Sequence, residues 1–215
     1  MIRSLLENMR ISNKESALIE LFLAYTILGS IAVSLTCEYN QIKEFGIFFI
    51  TILVPLFITQ ISDKVIYEEF KDGFLEFRLS IFSSFRIVLE KSLITSFLYI
   101  FAFLLILPLI FLLFNLSLNE LNTISHLMII NIIMSVSISL FIGSCNCYFK
   151  RITLINFIVN IPIILPNLII TGLIITNSYN QDKLFLILYG IALIILPIIF
   201  YCSCFLIRNI YNISI

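Results

Sequence analysis

Long apolar runs separated by short polar joints decide what this chain can fold into. Crossing roughly 30 Å of hydrocarbon takes about 17 to 25 helical residues, and runs of that order occupy 17–35, 45–61, 92–114, 124–147, 154–176 and 184–207. With 60% apolar and 12% charged residues, and a mean hydropathy of +1.11, the chain sits far from the soluble norm of about 45–50% apolar and about 25% charged. The expectation is an all-α integral membrane protein: one transmembrane domain over residues 1–215 with six transmembrane helices, whose joints leave no room for a second folded unit. The first run is too long for a secretory h-region of about 7–15 residues, and no small-residue cleavage site follows it. It is expected to remain as a span.

Positive charge resists translocation, so lysine and arginine set the orientation. Arg3, Arg10 and Lys14 precede the first span; Lys64, Lys71, Arg78, Arg86 and Lys91 lie between the second and third; Lys150 and Arg151 join the fourth and fifth; Arg208 follows the sixth. Only Lys43 and Lys183 fall on the other side. Both termini are therefore expected to be cytosolic. Before the first span, Ile2, Leu5, Leu6 and Met9 recur at helical spacing opposite Arg3, Glu7 and Arg10, which predicts a short N-terminal interfacial helix. Ser12 and Glu15 then match a capping box that would start the first span. Glu20 lies about one turn inside and can reach the interface.

The fifth span carries Pro162 and Pro166, which leave the carbonyls of Ile158 and Pro162 without their helical donors. Neighbouring helices or water must satisfy those groups. A static kink and a moving hinge are both open readings. The five cysteines form no disulfide framework: Cys37 is alone on the outer side, and Cys145 with Cys147, and Cys202 with Cys204, read as polarizable packing at helix ends. His126 cannot by itself build a multi-histidine metal site, and no glycine opens a P-loop. No Ser-His-Asp or HExxH grouping is present. The expectation is a protein that is not an enzyme, binds no cofactor firmly and leaves ATP to another subunit.

One stretch breaks the apolar pattern. Residues 62–91 hold 11 of the 26 charged residues and contain Glu69-Phe70-Lys71-Asp72-Gly73-Phe74-Leu75-Glu76. Glu68, Glu69, Lys71, Glu76 and Arg78 are expected to keep this island in water, with Gly73 permitting a bend. Phe70, Phe74, Leu75 and Phe77 give a short helix or helix pair something to bury, on the membrane surface or in a partner's groove. The island is the expected cytosolic coupling segment between the second and third helices.

Glu69, Asp72, Gly73, Leu75 and Glu76, followed by Lys91 at the start of the third span, resemble the hallmark of the haem exporter protein B family, CcmB. Six spans and the prolines of the fifth span look similar along the whole chain. Phe74 stands where that family usually has a small hydroxyl residue, and Phe82 near where a proline is common. The resemblance implies a permease subunit of the ABC-type cytochrome c maturation system, with a CcmA-like ATPase, CcmC-like and CcmD-like membrane proteins and a CcmE-like haem chaperone as partners. It implies haem as cargo, ATP on the partner subunit, and a bacterial inner membrane or, as the alternative, a mitochondrial inner membrane. In that light Glu69 to Glu76 would transmit ATPase closure to the helices. The absence of tryptophan separates the chain from CcmC-like proteins, whose platform for haem is tryptophan-rich. Two alternatives stay open: a type-2 exporter permease for lipid, polysaccharide or drug, and a non-transporting respiratory assembly subunit. The topology predicts that an impermeant maleimide added from the outer side labels Cys37 and neither Cys147 nor Cys204, as followed by mass shift.

Overall fold

The computed structural model describes residues 2–38, 41–148, 165, 168–169, 171–173 and 181–214. Among them the chain is helical apart from short turns: α1 (Ile2–Thr36), α2 (Ile42–Phe48), a π-helical segment (Phe49–Leu53), α3 (Val54–Lys71), α4 (Phe74–Ile81), α5 (Ser84–Leu113), α6 (Leu118–Tyr148) and α7 (Gln181–Ser214). Five stretches are long and apolar enough to cross a membrane: Ala17–Thr36, Ile42–Lys71, Ser84–Leu113, Leu118–Tyr148 and Leu184–Ile210. The expected fifth span, with Pro162 and Pro166, lies outside the described residues.

The break expected between an N-terminal surface helix and the first span is absent. Helix α1 runs unbroken from Ile2 to Thr36. Residues 2–16 contain neither glycine nor proline, and a continuing helix satisfies the backbone donors that a Ser12 cap would otherwise have to serve. The second span also extends further than expected, because α3 carries on through the charged residues to Lys71.

α6 is the centre of the bundle. From Ile130 to Cys147 only Ile133 and Phe141 are not fully buried, and α3, α5 and α7 pack against it. Its small residues Ser135, Ser139, Gly143 and Ser144 let neighbouring backbones come close, as helices in lipid require. Ser137 and Ser144 donate back to the Ile133 and Leu140 carbonyls of their own helix. Outward faces are apolar: Leu28 and Leu35 on α1, Phe97 and Leu112 on α5, and Leu193 on α7 are exposed. This pattern suits a lipid exterior and not an aqueous one.

The π-helical segment has a local cause. Pro55 has no N–H to give the carbonyl four residues back, that of Thr51. The ladder widens here, the Val54 N–H reaching five residues back to the Phe49 carbonyl. Asn131 of α6 supplies a donor from outside, its Nδ2 lying 3.3 Å from the Thr51 oxygen, and Thr171 Oγ1 donates to Asn131 Oδ1 at 3.4 Å. The Phe49 ring lies against Gly29 of α1 so closely that a Cβ there would meet it. At the far end of the bundle, Ser117 and Glu120 form a reciprocal cap on α6: Ser117 N–H donates to Glu120 Oε2 at 2.9 Å and Glu120 N–H to Ser117 Oγ at 3.4 Å. Glu120 also meets Lys43 Nζ at 2.6 Å, which pins the start of α2 beside the start of α6.

Cys147 is 2% exposed, so its failure to react with maleimide would report burial as much as sidedness. Cysteine placed at the exposed Lys71 reports the island side directly. Asn131→Leu removes the donor to Thr51 and is expected to cost about 1 kcal/mol or more. The thermal aggregation midpoint of the detergent-solubilised variant should fall, while Ser137→Ala, whose hydroxyl serves only its own helix, should leave it near wild type.

Candidate functional site

The charged island folds as an elbow. α3 ends where the Asp72 N–H bonds the Glu68 carbonyl and the Gly73 N–H bonds the Phe70 carbonyl, each at 3.0 Å. Gly73 takes φ 71° and ψ 2°, the left-handed region that L side chains enter at a cost of roughly 1–2 kcal/mol. A Cβ there would meet nothing within 4 Å, so the demand is on the backbone angle and not on space. The chain then re-enters a helix at Phe74, turns again through extended Phe82, and starts α5 with Ser83 Oγ accepting from the Arg86 N–H.

The island does not lie wholly in water. Glu69 is 7% exposed, Arg78 9% and Lys91 4%. Lys91 Nζ of α5 lies 2.6 Å from Glu69 Oε1 of α3, and Arg78 of α4 reaches toward the other Glu69 oxygen at 3.8 Å and to Glu90 Oε2 at 3.0 Å. One buried carboxylate therefore gathers a cation from each of the next two helices. Neither Glu69 oxygen has a hydrogen bond of good geometry, so these contacts are held by charge. Burial of an ion requires this: an unpaired charge in a low-dielectric site costs several kcal/mol, and opposite charges at contact offset part of it.

A second rung lies deeper along the same two helices, where Ser62 Oγ donates to Tyr99 Oη at 3.0 Å. Seven residues separate Ser62 from Glu69 and eight separate Lys91 from Tyr99, so side chains of α3 and α5 meet at two levels about two helical turns apart. Tyr99 also meets the Phe22 ring edge-on at 5.1 Å, linking the rung to α1.

The residues singled out from sequence divide into two sets. Glu69 and Leu75 point inward; Leu75 is fully buried in the bundle's own core. Asp72 and Gly73 are exposed and Glu76 is half-buried, so these three form an outward corner beside exposed Lys71. Phe70 packs on the core, Phe74 is half-buried and stands 5.9 Å from the Arg78 guanidinium, and Phe77 is exposed. Arg78 and Glu90 were not singled out as partners, because no sequence spacing reveals which charges two turns bring together. Among the described residues no group of three or more His, Cys, Asp or Glu could hold a metal ion, and His126 is exposed.

Two relatives cover this chain almost end to end. The uncharacterized protein RC0356 of Rickettsia conorii is 32% identical over 214 residues, 99% of this chain and 96% of that protein. The uncharacterized protein RP268 of Rickettsia prowazekii is 32% identical over 207 residues, 95% of this chain and 93% of that protein. The chain belongs to their family. No protein-family model and no solved structure matches it.

The ion network predicts a non-additive mutation series. Lys91→Met removes the closer of the two cations at buried Glu69, leaving Arg78 at 3.8 Å, and is expected to cost up to about 3 kcal/mol, read as a lower thermal aggregation midpoint in detergent. Adding Glu69→Gln to that variant should return much of the loss.

Proposed function

We propose that this chain is the membrane permease subunit of an ABC-type exporter, and that its elbow receives the ATPase. The observation that carries this reading is the outward corner Lys71, Asp72, Gly73 and Glu76, mounted on a helix that the Glu69–Lys91 pair ties into the bundle. A partner gripping that corner would move α3 and α5 together, because the charge pair and the Ser62–Tyr99 rung resist their separation. Hydrolysis would occur on the partner, a CcmA-like ATPase; the chain itself has no P-loop.

Within that reading, the resemblance to CcmB favours haem export, or release of a loaded haem chaperone, in the biogenesis of c-type cytochromes at a bacterial inner membrane. CcmC-like, CcmD-like and CcmE-like proteins complete the expected complex. The alternative is a type-2 exporter for lipid, polysaccharide or drug, which shares the six-span plan; Phe74 and Phe82 depart from the CcmB pattern in the local loop and not in the topology.

Gly73→Val, which forces a branched side chain into the left-handed region, and the charge reversal Glu76→Lys should both permit membrane insertion and weaken co-purification of the ATPase. Retention of wild-type pull-down by both variants would remove the elbow as the docking site. Deletion of the gene should abolish covalent haem staining of c-type cytochromes while b-type cytochromes persist. Undiminished c-type staining would return the chain to the other exporter cargoes.

A further inference from the structure

α4 turns only one side toward the bundle. Leu75 and Arg78 are buried, whereas Phe77 and Ile81, four residues apart and therefore on one helical face, are each 58% exposed. Two large apolar side chains on one turn of a helix gain from leaving water. A second exposed apolar row follows the turn, since Phe85, Leu89, Leu93 and Phe97 recur every fourth residue along α5 and all are exposed.

Depth separates lipid from cytosol as the medium around that face. The Phe85 ring meets Phe200 of α7 edge-on, with centroids 5.2 Å apart, and α4 itself packs against α7. The apolar stretch of α7 begins at Leu184, and the sixteen residues from there to Phe200 rise about 24 Å. Hydrocarbon is roughly 30 Å thick, so, counted from Leu184, Phe200 and Phe85 against it fall inside that thickness. Tyr201 and Phe205, the next outward residues of α7, are exposed and apolar-bodied as well. Arg86 is exposed and stands 4.6 Å over the Phe82 ring, with its charge placed for a headgroup phosphate and its stem for the chains below.

We infer that α4 is an elbow embedded in the membrane, its Phe77–Ile81 face lying among phospholipid acyl chains and Arg86 marking the headgroup level. The occupant of this face is lipid. The inference rests on the membrane-spanning reading of the bundle and is independent of the ATPase. Around α4 it leaves the corner from Lys71 to Gly73, with Glu76, to a soluble partner.

The chain contains no tryptophan, so each single substitution reports one place. Full-length Phe77→Trp, Ile81→Trp, Phe97→Trp and Lys71→Trp would be reconstituted in vesicles of phosphatidylcholine and phosphatidylglycerol, with and without bromine on the acyl chains. Tryptophans at 77 and 81 should lose more than half their emission to brominated chains and resist aqueous iodide; the tryptophan at 71 should behave oppositely. Iodide quenching at 77 and 81 without bromine quenching would place the face in water and overturn the inference. Protection from both quenchers would place protein over it, a second copy of the chain, and overturn it equally. Should Phe77→Trp fail to insert, Ile81→Trp decides by the same criteria. Position 97 separates the two levels: no bromine quenching there defeats the spanning reading and the elbow with it, whereas quenching at 97 but not at 77 and 81 defeats the elbow alone.

Discussion

A backbone amide or carbonyl in hydrocarbon has no water to turn to, and the architecture of this chain follows from that constraint. It makes the long apolar runs helical and makes each local fault in a helix a matter for its neighbours. The clearest case is the Thr51 carbonyl, deprived of a donor by Pro55 and served by Asn131 across the α3–α6 contact. A polar residue at the most buried level of the central helix is thus explained by a proline on another helix. Thr171 extends the same connection beyond α6.

Charges obey the constraint in a harsher form. Glu69, Arg78 and Lys91 are drawn under the elbow because α3 continues as a helix past its apolar part, carrying Glu69 back against the start of α5. What composition marks as a solvated island is in effect a buried cluster of opposite charges with an exposed outer corner. The exposed polar corner at Lys71 to Gly73 and the exposed apolar side of α4 lie on either side of one tight turn, and buried Leu75 holds α4 to the bundle between them.

The sequence revealed the spans well where apolar runs were bounded by charge, since length and hydropathy act locally. Gly73 was legible too, because a glycine after Asp72 at the end of a helical pattern has few other uses. The helix break before the first span was misread: the Ser12–Glu15 spacing that suggests a cap can equally sit inside a longer helix when no glycine or proline stops it. The Ser117–Glu120 cap, by contrast, is real and follows the positive-φ residue Asn115, which does stop a helix. Partnerships between distant residues, Glu69 with Lys91, Arg78 with Glu90, Asn131 with Thr51, were illegible because they depend on the angle at which helices return. Pro55 four residues after Thr51 was the one local sign that α3 would need outside help.

The composition of the ion cluster bears on the energy of the membrane itself. Glu69 and Glu90 carry two negative charges, and Arg78 and Lys91 two positive ones. A single charge moved through the full membrane potential exchanges about 2.3 kcal/mol per 100 mV; a neutral group of four exchanges almost nothing. With its charges balanced, the cluster gives a membrane potential little net charge to act on.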